Sequence, residues 1–180
     1  ELKICNEHSV NTFFTNNPID ICINCAAYTA VDKAEDEEDT ARAINATAVW
    51  NIANACKSSN ALCIHISTDY VFDGTSERPY LENDPTSPNS IYGKTKAEGE
   101  QNIIESGCYY IIIRTSWLYS SYGNNFVKTM LHLGSERQFV NVMKFDGGIE
   151  TLTYDGLPII ADKDCDANRI YFVDEDAMTV

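Results

Sequence analysis

One stretch decides the fold, because it begins as a mostly apolar run and ends in polar side chains: Leu62-Cys63-Ile64-His65-Ile66-Ser67-Thr68-Asp69-Tyr70. Residues 62–67 are apolar enough to predict a buried strand of a parallel sheet. The polar residues that follow stand where that strand ends, which is the edge at which open α/β sheets place their ligands. The stretch therefore predicts a fold class and the place of a functional site.

Strand-like and helix-like segments alternate on both sides of this stretch. Those before it are a helix over 6–17 that Asn6 caps and Pro18 ends, a strand over 19–25 that is apolar enough for burial on both faces, and a helix over about 33–58. Those after it are a loop over 68–89, a helix over about 90–106, a strand over 109–115, a helix over about 124–135 and a strand over 139–142. The alternation predicts an α/β fold with a parallel sheet and helices on both faces. A loop as long as 68–89 is expected to carry function.

The character of the sequence changes after Val142. Gly-Gly and Asp-Gly pairs at 147–148 and 155–156 separate short β-like runs such as 169–173, with no helical period. We therefore predict two domains, a partial dinucleotide-binding reductase domain over 1–142 and an unrelated β-rich tail over 143–180. Because the chain starts at Glu1, we expect it to begin inside a longer protein.

Composition narrows the class of function. The net charge is −14, from 27 acidic and 13 basic residues, and such a surface repels nucleic acid and anionic membranes. No apolar run approaches the roughly 20 residues of a membrane-spanning helix, and no signal peptide is visible. Seven cysteines scattered over strands and helices predict reduced thiols and a cytoplasmic protein.

Two patterns that resemble metal sites have simpler interpretations. Cys22 and Cys25 are three apart on a predicted strand, so their side chains should point to opposite faces, and no second ligand pair follows. The acidic run at 35–39 lies near the predicted start of a helix, where the helix dipole favours negative charge. We expect no metal site.

Two further motifs stand beside the strand-end Ser67-Thr68-Asp69-Tyr70. In Tyr92-Gly93-Lys94-Thr95-Lys96 the tyrosine and the second lysine are four apart and share one helix face, and Arg114-Thr115-Ser116-Trp117 ends the next strand. An ordinary phenol has a pKa near 10, which a neighbouring ammonium lowers. Such a phenol can protonate a carbonyl oxygen while hydride reaches the carbon, and a hydroxyl such as that of Thr68 can hold the same oxygen.

Together these segments resemble dTDP-4-dehydrorhamnose reductase, an extended short-chain dehydrogenase/reductase, over nearly all of residues 1–142. The segments that carry the resemblance are 23–35, 65–74, 91–100, 114–119 and 124–131. The resemblance implies a partial Rossmann-like, doubly wound parallel sheet and reduction of the 4-keto group of a dTDP-deoxysugar by NADPH or NADH. A homodimer is compatible with it.

The resemblance also assigns roles to individual residues. Thr68, Tyr92 and Lys96 match the catalytic triad of the family. Ala26, Ala27 and Thr29 match residues that line the cofactor, together with Tyr92 and Lys96. Residues that contact the sugar nucleotide match Val31, Tyr70 and Trp117.

The sequence departs from the family at three places. The glycine-rich βαβ unit that opens the family is absent, and Lys3 stands where the family usually has an aspartate near the adenosine. The family's D-Q-x-G-x-P-T segment does not follow Val142. Instead, residues 157–165 resemble part of a tailed-phage major capsid protein.

Three alternatives to the reductase remain. A sugar-nucleotide epimerase or dehydratase shares the Tyr/Lys pair, although a dehydratase usually has Asp-Glu where this chain has Asp69-Tyr70. A non-enzymatic binding module would resemble the regulatory β-subunit of methionine adenosyltransferase. A capsid-related protein is supported by the tail alone.

Overall fold

The computed structural model describes residues 2–123, 125–136, 153–154 and 157–158. The chain divides into two compact units, residues 1–115 and 116–180. The predicted strand over 139–142, the β-like run over 169–173 and the predicted domain boundary after Val142 all lie outside the described residues.

The first unit is built on a three-stranded parallel sheet in the order β1-β2-β3. The strands are β1 (Ile21–Asn24), β2 (Leu62–Thr68) and β3 (Tyr109–Thr115). The register pairs Asn24 with His65 and Thr68 with Thr115, so the three strands end at one side of the sheet, which we call the carboxyl edge. The parallel α/β prediction is confirmed, and β3 has the predicted bounds.

Two of the helices of this unit begin at capping side chains. The helical elements of the unit are α1 (Glu7–Asn16), α2 (Val31–Ala34), α3 (Glu38–Arg42), a π-helical turn (Ala43–Thr47), α4 (Ala48–Ser59), a 3-10 turn (Asp69–Val71) and α5 (Ile91–Ser106). Asn6 caps α1 as predicted, since its side chain accepts the Ser9 N–H at 2.9 Å. Ser90 caps α5 in the same way, and α5 ends at Gly107 in the left-handed region.

The predicted helix over 33–58 is interrupted, because α2 and α3 are separate. The acidic run therefore spans the break: residues 35–37 lie between the two helices, whereas Glu38 and Asp39 lie in the first turn of α3, where a helix start was predicted to hold negative charge. Two of its carboxylates bind other parts of the fold: Glu35 accepts the Ile91 N–H at the start of α5, and Glu37 accepts the Tyr28 hydroxyl. Both contacts attach the break to other parts of the fold. The Glu35 carboxylate is stabilising where it lies, because negative charge is favoured near the N-terminus of a helix such as α5.

The core of the unit lies on one face of the sheet, under α1, α4 and α5. Its buried members are Val10, Phe14, Val49, Ile52, Ala53, Ala55, Cys56, Ala61, Cys63, Ile103 and Cys108. Cys56 hydrogen-bonds with Cys22 and Cys63, and these contacts, followed by burial, raise the pKa of the Cys56 thiol. Cys25 is exposed, so the two thiols of the C-x-x-C pattern have different surroundings.

The opposite face of this sheet is open in the first unit. Ile21 and Ile23 are 56% and 61% exposed, and Tyr109, Ile111 and Ile113 on β3 are exposed as well. The expectation that the first strand is buried on both faces is therefore wrong. The reason is that α1, α4 and α5 all pack against the alternate residues, such as Cys22, Cys63 and Ile112.

The second unit contains α6 (Phe126–Glu136) and a two-stranded antiparallel pair, β4 (Thr153–Tyr154) with β5 (Leu157–Pro158). The Asn125 side chain caps α6 by accepting the Lys128 N–H at 3.0 Å. β4 and β5 lie in the part of the chain that was predicted to be β-rich, and the separation of residues 143–180 as an unrelated domain stays a prediction. None of the helices in the described part of the chain is long and apolar enough to cross a membrane.

Candidate active site

The predicted catalytic residues Thr68 and Tyr92 meet at the carboxyl edge. Thr68 is the last residue of β2 and is buried, and Tyr92 lies in the first turn of α5. The Thr68 hydroxyl is close enough to the Tyr92 phenol to lower its pKa. Thr68 also accepts the Tyr70 N–H at 3.2 Å and donates to Asp69 at 3.1 Å. The threonine hydroxyl is thus fixed by the turn that follows β2.

Burial and the Thr68 hydroxyl act in opposite directions on the Tyr92 phenol. Burial raises the pKa of Tyr92, the Thr68 hydroxyl lowers it, and the charges of Asp69 and Tyr70 raise it again, with a net increase. The phenol therefore holds its proton at neutral pH. A protonated phenol in contact with a second hydroxyl is suited to donate its proton to a ligand oxygen.

Lys96 projects from the same face of α5 as Tyr92, one turn later. The lysine is 1% exposed, and its Nζ donates to the Ile66 carbonyl oxygen of β2 at 2.6 Å. His65 Nε2 lies 3.3 Å from the same nitrogen. Burial lowers the pKa of Lys96 to about 8, while the charge of Glu100 acts to raise it. The sequence places this cation correctly on the helix but gives no indication of its burial.

Two asparagines hold the turn after β1, where the predicted cofactor-lining residues lie. Ala26 and Thr29 are exposed and Ala27 is half-buried. The Asn24 side chain accepts the Ala26 N–H at 3.1 Å, and the Asn45 side chain accepts the Tyr28 N–H at 2.8 Å and donates to the Tyr28 carbonyl at 3.2 Å. The exposed backbone of this turn follows β1 at the carboxyl edge.

Asn45 comes from the π-helical turn, an irregularity that often marks functional sites. It also donates to the Thr95 hydroxyl at 3.1 Å, so one side chain joins the turn after β1 to α5. Sequence reasoning missed Asn24, Asn45 and His65. The signal was present for two of them, because a polar residue inside an apolar strand predicts a buried hydrogen-bond partner.

The expected substrate residues fall into both units. Tyr70 follows Thr68, is 44% exposed and packs edge-on against Tyr92, with ring centroids 5.7 Å apart. Val31 begins α2 and is half-buried. Trp117 belongs to the second unit, where it has a positive φ of 51° and packs edge-on against Phe126 at 4.7 Å.

Arg114, the first residue of the Arg-Thr-Ser-Trp motif at the end of β3, has a structural role in the first unit. Its guanidinium binds both carboxylate oxygens of Glu100, with Nη2 to Oε2 at 2.7 Å, and Ser67 donates to the same carboxylate at 2.5 Å. Glu100 is 3% exposed, so the pair joins β2, β3 and α5 beneath the site. The motif therefore fixes α5 against the sheet.

The carboxyl edge thus combines a protonated phenol, a hydroxyl, a buried lysine and an exposed backbone turn. A search of the described residues for groups of three or more His, Cys, Asp or Glu side chains with metal-binding geometry finds none. A sequence profile of the RmlD substrate binding domain matches residues 1–161. The chain belongs to the RmlD substrate-binding-domain family.

Several curated relatives of this RmlD-family chain carry the same name. It is 46% identical over 151 residues to dTDP-4-dehydrorhamnose reductase of Salmonella typhimurium, covering 84% of this chain and 48% of the relative. The enzyme of the same name from Escherichia coli is 47% identical over 151 residues, with the same coverage. The chain spans about half the length of the curated relatives it matches.

Two similar solved structures also carry the name dTDP-4-dehydrorhamnose reductase. The dTDP-4-dehydrorhamnose reductase of Clostridium acetobutylicum is similar with a TM-score of 0.74 and 49% identity, covering 76% of this chain and 49% of that one. The enzyme from Bacillus anthracis, solved in complex with NADP, is similar with a TM-score of 0.74 and 47% identity over the same shares. The partial Rossmann-like fold predicted from sequence is confirmed by these neighbours.

Proposed function

We propose that this chain is the proton-donating part of an NAD(P)H-dependent dTDP-4-dehydrorhamnose reductase, which reduces the 4-keto group of a dTDP-deoxysugar to give dTDP-L-rhamnose. The observation that carries the proposal is the proximity of the Thr68 hydroxyl to the Tyr92 phenol at the carboxyl edge, one helical turn from the buried Lys96. Relatives that share 46–47% of their residues with this chain carry the same enzyme name.

The chain's own residues would supply the proton for the reduction. Tyr92 donates its phenolic proton to the sugar C4 carbonyl oxygen, and the Thr68 hydroxyl, by turning its proton from Asp69 to the substrate, donates a hydrogen bond to the same oxygen. Lys96 in its ammonium form stabilises the tyrosinate that remains. The nicotinamide, when bound, supplies the hydride to C4.

The residues present fit the nicotinamide side of such a cofactor. Lys96 Nζ lies 2.6 Å from the Ile66 carbonyl oxygen and 3.3 Å from His65 Nε2, and an ammonium that donates to both keeps the third of its N–H bonds for a ligand hydroxyl. The turn at 26–29 presents exposed backbone at the same edge of the sheet. We propose Ala26, Ala27, Thr29, Tyr92 and Lys96 as the cofactor contacts, with NADPH or NADH as the cofactor.

For the sugar nucleotide we propose Val31, Tyr70 and Trp117. Tyr70 has the best support, because its ring lies against the Tyr92 ring and is still 44% exposed. Burial, then the charges of Asp69 and Asp32, raise the pKa of Tyr70, so its hydroxyl stays neutral and able to donate to a ligand.

The setting of the enzyme belongs to the same proposal. The six described cysteines are free, which fits a reducing cytoplasm, and the charge of −14 does not favour nucleic acid as a partner. A homodimer remains part of the proposal and is tested by sedimentation of the whole protein. Asp69-Tyr70 after Thr68 favours a reductase over a dehydratase.

The fate of a deuterium label tests the reaction class. A chimera in which this segment replaces the matching segment of the Salmonella reductase is given a dTDP-4-keto-6-deoxysugar and NADPH deuterated at the transferred position. A reductase consumes one NADPH per sugar and leaves deuterium at C4 of the product. An epimerase shows no net NADPH consumption, a binding module shows neither, and either result with a folded chimera contradicts the proposal.

A further inference from the structure

A buried chain of polar groups connects the turn after β1 with Lys96. The Ala26 N–H donates to Asn24 Oδ1 at 3.1 Å, Asn24 Nδ2 lies 3.1 Å from His65 Nδ1, and His65 Nε2 lies 3.3 Å from Lys96 Nζ. His65 is fully buried and Asn24 is 5% exposed, so water does not complete these contacts. None of the roles proposed above uses Asn24 or His65.

The hydrogen bonds among these polar groups can all run in only one direction, from donor to acceptor, at a time. Because Asn24 Oδ1 accepts from Ala26, the amide NH2 faces His65, and Nδ1 of the ring must be an acceptor. A neutral imidazole then carries its proton on Nε2, which points at Lys96. Two donors cannot share this contact, so this direction requires Lys96 to be the neutral amine that accepts.

Protonation of Lys96 demands the opposite direction. An ammonium must donate to His65 Nε2, which moves the imidazole proton to Nδ1. That N–H needs an acceptor, and the Asn24 amide supplies one by turning its Oδ1 toward the ring. The Ala26 N–H then loses its acceptor and becomes available to a ligand at the exposed turn.

We propose that Asn24 and His65 are positioning residues, which couple the protonation state of Lys96 to the availability of the Ala26 backbone N–H. The inference rests on the proposed function, in which Lys96 and Ala26 face the cofactor. It adds that the two ends of the cofactor site do not act independently: the ammonium that assists Tyr92 and the amide that is free to bind a ligand occur in the same state.

The ionic surroundings make the switch a change of tautomer and not of imidazole charge. Burial, then the charge of Lys96, lower the pKa of His65 to about 3, so the ring stays neutral over the whole working range. Burial lowers the pKa of Lys96 to about 8, so its proton is exchanged close to neutral pH.

The elements around Lys96 carry other ionisable groups, of which Glu100 acts on the Lys96 charge. Glu100 on α5 favours the ammonium, and its carboxylate is paired with Arg114 from β3. Tyr92 lies on α5 and Asp69 acts on it from the turn after β2. β1 contributes Cys22, whose thiol is engaged with Cys56. None of these groups replaces His65 as the neighbour of Nζ.

Long-range ¹H–¹⁵N NMR of the 180-residue chain, without cofactor or substrate, tests the coupling directly. His65 is assigned among the three histidines by His65→Gln. The expected result is the Nδ1–H tautomer below pH 8 and the Nε2–H tautomer above it, with the Ala26 amide proton shifting at the same midpoint. One tautomer throughout, or an imidazolium above pH 5, would overturn the proposal.

Two variants distinguish the proposed coupling through Asn24 and His65 from a role of these residues in packing alone. Lys96→Met removes the proton exchange and should hold His65 as Nε2–H at every pH. Asn24→Asp supplies acceptors to both neighbours and should hold His65 as Nδ1–H, whereas Asn11→Asp on the exposed face of α1 should leave the midpoint unchanged. If His65 in the Asn24→Asp variant still changes tautomer at the wild-type midpoint, the proposed coupling is wrong. Because no turnover is measured, this outcome is independent of whether the chimera reduces a keto sugar.

Discussion

Lys96 is the residue at which proposed chemistry and fold stability oppose each other. A cation that is 1% exposed loses its hydration, and the hydrogen bond to the Ile66 carbonyl replaces only part of it. The pKa of Lys96 falls from 10.5 to about 8, so keeping it charged at neutral pH costs on the order of 3 kcal/mol of folding free energy.

Lys96→Met should therefore stabilise the chain at pH 7, by about 1–3 kcal/mol after the loss of one hydrogen bond is counted. Because the folded pKa lies below the unfolded one, the unfolded state binds the extra proton between pH 8 and 10.5, and wild-type stability from this group rises across that window. The advantage of the variant should shrink over the same window. Urea unfolding at several pH values measures it.

Lys94→Met is the matched control, since Lys94 is an exposed lysine of the same helix. Its effect on the free energy of unfolding should stay within about 0.5 kcal/mol at every pH. A Lys96→Met protein that is less stable than wild type at pH 7 would show that the buried cation supports the fold.

Single residues were predictable where a motif fixed both their type and their neighbour. Thr68 and Tyr92 were predicted to lie together because the sequence indicates both the end of β2 and the start of α5. Asn24, Asn45 and His65 were not, because each finds its partner more than 15 residues away along the chain. These partners are set by the register of the sheet and by the π-helical turn, and no local sequence pattern predicts either of them.

Helix α5 is held in place by close backbone contact as well as by side chains. A Cβ at Gly99 would lie 2.2 Å from the Asn45 carbonyl oxygen, and one at Gly93 would lie 2.3 Å from the Tyr70 carbonyl oxygen. Both neighbours are backbone atoms of elements that form the site. The glycines therefore set the distance between α5 and the residues around it.

Gly99→Ala should destabilise the fold by on the order of 2 kcal/mol. The clash with Asn45 outweighs the roughly 1 kcal/mol that alanine gains over glycine in a helix. Thermal unfolding measures the change. Gln101→Ala, at an exposed position two residues later, is the control and should change stability little. A Gly99→Ala chain as stable as wild type would mean that α5 can move away without cost.

At the level of elements, β3 and α5 agree with their predicted bounds to within one residue, and the helix predicted over 33–58 does not. β3 has its predicted bounds because its apolar run is short and flanked by turn signals. The helix predicted over 33–58 is divided, because the contacts of Glu35 with α5 and of Glu37 with Tyr28 form only in the folded state. Alanine periodicity continues through the break and conceals it.

At the scale of the whole molecule, the alternation of strands and helices was enough to predict a parallel α/β sheet. It was not enough to predict that one face of the sheet stays open in the first unit, since that depends on which side each crossover packs. The family profile covers residues 1–161, and the chain spans about half the length of its relatives. The proposed activity is therefore tested in a protein of the relatives' full length.

The 180-residue chain by itself should bind NADPH or NADH weakly. Its sequence contains no glycine-rich phosphate loop, whose backbone N–H groups normally hold the pyrophosphate. Losing hydrogen bonds worth roughly 1.5–3 kcal/mol each weakens affinity by orders of magnitude. Calorimetry should give a Kd above about 100 μM, and the Salmonella chimera is the positive control. Low-micromolar affinity of the isolated chain would contradict this expectation.

The central claim is that the Tyr92 phenol protonates the sugar carbonyl. The measurement is keto-sugar-dependent NADPH oxidation by the Salmonella chimera with Tyr92→Phe, beside Tyr109→Phe as a matched loss of an exposed phenol. Loss of general-acid catalysis should lower kcat by about 10²–10⁴-fold in Tyr92→Phe, with little change in the Kd for NADPH, while Tyr109→Phe keeps its activity. A folded Tyr92→Phe chimera that turns over within a few-fold of the unmutated one would contradict the account.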